Sequence, residues 1–381
     1  MTEYLLSDGN VALRPIQESD VEFFWKLDLE PKPFDGNGLA AKGFVKNGYN
    51  KGYFWGDTSR VYVIELQQDD GGPVGVIGTK IAKKTTRIEI GTTIAARWRA
   101  RGIGTRAKRL LVDYLYRAYS CHRITSNTSA LNEPAIRSLE KSGFVHEGTA
   151  RRDRFVHGAF RDYAYFSLLR EEYEEARKSW QLDGNTAPIA PRAVTADEEP
   201  QYVIKGKLIQ IRPIEPEHIP FITELFTFAF PYNHQDLYSV DEMKKEHEGE
   251  DSLWGDKNRV FLIETHDGAP IGKVGLWEYD KQNKCVEVGT LIIPLDGRGK
   301  GYGTEAKLLA MGYAFDVWPI ERISAGTNQY NRGARCSLSR AGLRLWGATA
   351  GVQVGARVPA GAAVYSVTRD EWMNAREVRD A

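Results

Sequence analysis

The sequence predicts an α+β protein of two tandem domains, each a mixed, mostly antiparallel sheet flanked by helices. Two observations carry this expectation. The first is a repeat. Residues 99–107 read RARGIGTRA and residues 298–306 read RGKGYGTEA, each Arg-x-x-Gly-x-Gly-Thr-x-Ala. The echo is wider than the motif. Arg14-Pro15-Ile16 matches Arg212-Pro213-Ile214, Trp55-Gly56-Asp57 matches Trp254-Gly255-Asp256, and Glu89-Ile90-Gly91-Thr92 matches Glu287-Val288-Gly289-Thr290. Asn132, Gly143 and Arg170 match Asn331, Gly342 and Arg369, at offsets that stay between 197 and 199. A period this long marks a duplicated domain, since solenoid repeats run to roughly 20–50 residues. The second observation is the order of hydrophobic periods in each copy: alternating segments come first, then a helical period after the glycines, then a strand, a helix and a closing strand.

The elements follow in order. Val11 to Arg14 alternates and stops at Pro15, a first strand. Ser19-Asp20 before Val21, Phe23, Phe24 and Leu27 reads as a capped amphipathic helix. The stretch 31–57 reads as irregular. Val61 to Leu66 and Val74 to Lys80 are strands joined through an Asp70-Gly71-Gly72 turn, and Thr86 to Ile94 is a further strand. Thr105 to Tyr119 is a helix, because Ala107, Leu110, Leu111, Tyr114, Leu115 and Ala118 recur at helical spacing. Arg123 to Asn127 is a strand. Asn132 caps a helix bearing Ala135, Ile136 and Leu139, which Gly143 ends. Tyr163 to Leu169 closes the domain, and the second copy repeats the order.

The stretch QLDGNTAPIAPRAVTADEEP (181–200) has three prolines, no aromatic residue and little periodicity, so it reads as a linker. The predicted division is 1–178, linker 179–201, and 202–381. Lys+Arg and Asp+Glu both number 51, so no bulk charge favours nucleic acid or an anionic membrane as a partner. Nothing approaches a run of about 18 apolar residues, and the start lacks the pattern of a secretion signal. Cys121, Cys285 and Cys336 cannot all pair and fit no zinc spacing, so reduced thiols, no metal and a cytoplasmic setting are expected.

A glycine-rich turn feeding a helix is a device for holding phosphate. Glycine lets the backbone approach the anion, and the first-turn N–H groups point at it with the helix dipole behind them. A dinucleotide fingerprint would need a strand running into the first glycine and an acidic residue about 20 positions on. Here a basic loop, Arg97 to Arg101, precedes the glycines, and His122-Arg123 stands where the acid belongs.

These residues resemble the GNAT acetyltransferase superfamily, whose signature is Gln/Arg-x-x-Gly-x-Gly/Ala at the start of a long helix. The segments Ile94-Ala95-Ala96-Arg97-Trp98-Arg99 and Ile293-Pro294-Leu295-Asp296-Gly297-Arg298 are similar to the segment that precedes it in that family. Asn132 with Gly143-Phe144, and Asn331 with Gly342-Leu343, resemble the family's fourth helix and the Gly-Phe pair after it. Arg161-Asp162-Tyr163 through Ser167-Leu168-Leu169-Arg170 resembles the branch that acetylates ribosomal-protein N-termini. The resemblance covers both copies nearly end to end.

The resemblance implies direct ternary-complex transfer of a short acyl group from acetyl-CoA to a primary amine. It implies that the backbone of Arg101, Gly102, Ile103, Gly104 and Thr105, and of Lys300, Gly301, Tyr302, Gly303 and Thr304, holds the diphosphate. Arg99, Arg101, Arg298 and Lys300 would add charge near it, and the pantetheine arm would lie along the strand ends at Ile94 and Ile293, with Asn132 and Asn331 beside it. Asn132 and Asn331 would also be helix N-caps. A carboxylate would remove the amine's proton, and Glu89 and Glu287 occupy the strand where many family members carry a base. The serine and glutamate that some ribosomal-protein acetyltransferases use fall here on Ala135 and roughly Arg154, and on Ala334 and roughly Gln353. Neither copy has a tyrosine in the fourth helix.

The copies part in their early regions: 31–59 carries four Lys and two Asp, whereas 234–257 carries eight acids and three Lys. These charges read as a solvated face or, on the sharper reading, as a difference in acceptor between the halves, with an amine-attracting mouth on the second. A small-molecule amine such as an antibiotic or biosynthetic intermediate is favoured as acceptor over a protein N-terminus, in a monomer or homodimer. The alternative from another class is a module that holds acyl-CoA in one or both halves without turnover.

Overall fold

In the computed structural model the described residues are 6–32, 34, 41–67, 72–81, 87–119, 121–180, 182, 202–227, 239–248, 253–292, 299–348 and 362–380. By internal contacts the chain divides into Met1–Asn37 with Val45–Gln201, and Gly38–Phe44 with Tyr202–Ala381. The Asp70-Gly71 turn and nearly all of the expected linker lie outside the described residues.

The first unit opens with the short strand β1 (Leu6–Ser7), then β2 (Val11–Pro15), α1 (Val21–Leu29) and α2 (Lys42–Asn50). Three strands follow, β3 (Ser59–Leu66), β4 (Gly75–Ile81) and β5 (Arg87–Ile94). After the glycine turn come α3 (Ile103–Ala118), β6 (Arg123–Ser129), α4 (Glu133–Lys141), β7 (Val145–Val156), β8 (Ala159–Leu169) and α5 (Arg170–Arg177). The strands form one eight-stranded sheet ordered β1-β2-β3-β4-β5-β6-β8-β7. Every pairing is antiparallel except β5 with β6, which is parallel. Its core packs Leu13, Ile64, Ile77 and Ile90 of the sheet against Leu111 and Leu115 of α3.

The second unit repeats the plan: β9 (Ile204–Lys205), β10 (Gln210–Pro213), α6 (Ile219–Thr227), α7 (Val240–Glu248), β11 (Arg259–Glu264), β12 (Pro270–Asp280) and β13 (Cys285–Ile292). Then come α8 (Tyr302–Val317), β14 (Arg322–Asn328), α9 (Arg332–Arg340), β15 (Arg344–Ala348), β16 (Ala362–Thr368) and α10 (Arg369–Asp380). Its sheet order is the same, and β13 with β14 is again the parallel pair.

The matched residues acquire physical roles. Arg170 opens α5 and donates to the carbonyls of Tyr116 (2.9 Å), Tyr119 (2.9 Å) and Cys121 (2.8 Å), clamping the negative end of α3. Arg369 does the same for α8, donating to Trp318 O and Ile320 O at 2.8 Å each. Arg60 and Arg259 lie over the rings of Trp55 and Trp254, at 5.7 and 5.3 Å.

Three expectations are corrected. The stretch 31–57 is not irregular throughout, since α2 lies within it with Val45 and Gly48 buried. Val145–Val156 is a strand, β7, where none was expected. Asp20 does not cap α1 with its side chain; the buried Arg14 guanidinium takes both its oxygens, at 2.6 and 2.8 Å, and also bonds Glu65.

Candidate active site

The site begins at the turn into α3. Gly102 is its N-cap with φ 78°, the left-handed region in which a side chain is strained. The first of the bonds into the helix runs from Arg106 N–H to Gly102 O (3.1 Å), so the amides of Ile103, Gly104 and Thr105 precede the helical ladder. Gly301 repeats this before α8 with φ 94°, and Thr304 and Glu305 N–H both reach its carbonyl at 3.0 Å. A Cβ on Gly104 would sit 3.4 Å from Ile94, so the turn rests directly against the end of β5. Arg101 and Lys300 are exposed beside their turns.

Beside each turn the parallel strands part. β5 and β6 register only over Arg87↔Arg123, Ile88↔Ile124 and Glu89↔Thr125, while β5 stays paired with β4 through Ile94. β13 and β14 register over Cys285↔Arg322 to Glu287↔Ser324, while β13 stays paired with β12 through Ile292. The opening in the first unit is a cavity of about 490 Å³, lined by Glu89, Thr92, Thr93, Lys108, Asn127, Asn132, Leu139 and Arg154 among others. It therefore brings together two of the residues singled out from sequence, Glu89 and Asn132.

Glu89 accepts a hydrogen bond from the Asn127 amide (3.2 Å), whose oxygen accepts one from Arg154 (2.7 Å). Arg154 stacks over Tyr163, its guanidinium carbon 4.3 Å from the ring centroid. In the second unit Glu287 is exposed and faces Gly326, where the first unit has Asn127. Asn132 and Asn331 cap α4 and α9, accepting from Ala135 N–H (3.3 Å) and Ala334 N–H (3.0 Å).

Arg99 is engaged by protein groups. Its guanidinium donates to Ile94 O (2.9 Å) and pairs with Glu30 (2.8 Å), while Glu30 also accepts from Ala96 N–H (2.8 Å). It fixes the loop between β5 and the turn. Ile293 and Arg298 lie outside the described residues.

Sequence reasoning missed a second polar cluster. Lys108 of α3 is buried and donates to Ser138 Oγ of α4 (3.1 Å), which shares a hydrogen bond with Thr105 (2.9 Å). Lys307, Ser337 and Thr304 repeat it at 3.1 and 3.2 Å, and Lys307 also bonds Thr290 of β13. Burial pushes the Lys108 and Lys307 ammonium groups down to about 8. The available signal was Lys108 and Lys307 directly after the matched motif.

The family model described as an acetyltransferase (GNAT) domain matches residues 10–145 and 209–344, more than half of the chain. The chain is similar to a putative ribosomal N-acetyltransferase of Bacillus subtilis (strain 168), 34% identical over 106 residues, which are 28% of this chain and 58% of that protein. It thus spans little more than half the length of that relative. It is also similar to spermidine N(1)-acetyltransferase of Escherichia coli (strain K12), 23% identical over 45% of this chain and 93% of that one. Among solved structures, RimJ of Mycobacterium smegmatis in complex with CoA-disulfide is 25% identical, covering 44% of this chain and 85% of that one with a TM-score of 0.38.

Proposed function

The chain belongs to the GNAT acetyltransferase family, N-acetyltransferases that use acetyl-CoA, and from that premise we propose that each half passes a short acyl group from acetyl-CoA directly to a primary amine. One observation carries this: in both units a left-handed glycine turn at a helix start lies beside parallel strands that part after Glu89 or Glu287. The turn suits a diphosphate and the parted strand edge suits an extended pantetheine arm, which would pair with it as an added strand.

The residues then divide the work. First-turn amides of Ile103, Gly104 and Thr105, and of Tyr302, Gly303 and Thr304, bind the diphosphate, with Arg101, Lys300 and Arg298 adding charge. The strand end at Ile94, the residue Ile293 in the second half and the caps Asn132 and Asn331 hold the arm. Arg99 positions the loop and adds its charge to the same basic segment. Glu89 and Glu287 take the proton that the amine must lose before it attacks, directly or through water. When bound, acetyl-CoA supplies the activated acyl carbon.

For the acceptor we favour a small-molecule amine, with a protein N-terminus second. The cavity volume suits a small amine, and the names of the two relatives span both classes. The halves are proposed to differ in acceptor, because the early region of the second is rich in acids, Asp241 and Glu242 of α7 among them. The division into 1–178, 179–201 and 202–381 belongs to this proposal, as does a cytosolic setting, which suits three free cysteines.

Thiol release from acetyl-CoA across an amine panel tests it. Amine-dependent release, altered differently by Gly104→Asp and Gly303→Asp, is the expected result. Tight acetyl-CoA binding with no release on any amine would favour a module that holds acyl-CoA without turnover.

A further inference from the structure

Lys108 and Lys307 have no role in the acyl transfer as proposed so far. Lys108 is 7% exposed and Lys307 is 4% exposed. Among the described residues neither lies within ion-pair distance of a carboxylate. A buried ammonium without an anion is costly. Yet both units hold one at the same helical position, donating to a matched serine that itself bonds the motif threonine.

Position suggests the use. Lys108 lines the cavity beside Thr92, and its Nζ would lie 3.8 Å from a Cβ on Gly104. It therefore sits between the glycine turn and the parted strand. Lys307 spans the same gap, bonding Gly303 O (3.2 Å) on one side and Thr290 on the other. Helix α4 faces the cavity with Asn132, Ala135 and Leu139, none of which can give up a proton. The other titratable side chains around the cavity are Lys32, Lys80, Glu89, Arg154 and Tyr163.

We infer that Lys108 and Lys307 deliver the proton to the CoA sulfur as the thioester C–S bond breaks, an inference that rests on the acyl-transfer reading. The amine nitrogen forms the new C–N bond, the sulfur keeps the C–S electron pair, and the lysine ammonium gives that sulfur its proton. Before attack the ammonium loses one proton through Glu89 or Glu287 to solvent; as the adduct collapses to the amide its nitrogen loses a second to the same carboxylate, and water carries that one back to the lysine. Burial alone drives the lowering of Nζ to about 8, where the group is still protonated at neutral pH but releases its proton more readily than an ordinary lysine.

The test compares wild type with Lys108→Met, Lys307→Met and the double variant; Lys→Gln serves where Met misfolds, since it keeps a donor to the serine. The double variant is expected to lose at least about 10²-fold in kcat, with KM for acetyl-CoA little changed and the alkaline limb of kcat gone. A readout without turnover is the ultraviolet thiolate absorbance of bound CoA. Next to an ammonium the bound thiol ionises at lower pH, so the double variant should need roughly tenfold less acid to protonate it. Unchanged kcat overturns the inference. So does a loss of kcat with the pH profile and the thiol titration both as in wild type, which would mean that the lysines only tie helices together. A wild type that releases no thiol on any amine overturns the acyl-transfer reading itself.

Discussion

Burying Lys108 and Lys307 costs folding free energy, and the sign of its pH dependence is fixed. Each is held near 8 in the fold against an ordinary 10.5. Below about pH 8 both states carry the proton and the cost is complete. Between about 8 and 10.5 the unfolded chain keeps a proton that the folded chain has lost, so stability rises with pH in that window. The Lys108→Met/Lys307→Met protein should therefore be more stable than wild type near pH 7. Thermal melts at about pH 7 and about pH 9.5 should show that advantage shrinking; an advantage that holds or grows contradicts the account. Gly104→Asp is predicted to abolish coenzyme binding in the first unit, because its Cβ would already lie 3.4 Å from Ile94 and its carboxylate would enter the first helical turn, where the diphosphate is proposed to bind. Calorimetry with CoA, counting one site fewer than wild type, checks it. At this scale the sequence disclosed glycines and caps better than cations. Lysine on an amphipathic helix reads as solvated, and the packing of α4 that buries Lys108 is tertiary. Arg99 was legible as basic, but its partner Glu30 lies far off in sequence.

Helix ends and strand edges carry the next set of effects. Asn132 and Asn331 each satisfy one orphan amide of α4 or α9. Asn132→Ala or Asn331→Ala should cost about 1 kcal/mol of stability in denaturant melts. If the asparagines also touch the pantetheine arm, each change should weaken coenzyme binding in its own half. A stability loss with affinity intact in both halves would restrict them to capping. The order of elements was legible because the switch from period 2 to period 3.6 at the glycines is clear in the first copy, and the second copy repeats its residues. Several were not, β1 and α5 among them, and β7 and α2 show why. β7 is an edge strand exposed along most of its length, so its run Ala150-Arg151-Arg152-Asp153-Arg154 shows no apolar alternation. α2 carries Gly43 and Gly48, which weaken a helical reading, and buries few of its residues.

At the scale of the whole molecule the central feature is duplication. Both units share one strand order, one parallel pair that parts after a glutamate, and one left-handed glycine before a 16-residue helix. The repeat disclosed this without any structure, because few insertions separate the copies. Acceptor choice was less legible, since the copies diverge in their early regions, where many residues lie outside the described ones. The account's central claim is that both glycine turns hold the coenzyme. The most direct measurement is a calorimetric titration of the intact chain with acetyl-CoA. Two molecules bound per chain, falling to one in Gly104→Asp and in Gly303→Asp, is the predicted result; one or none in the wild type would contradict it.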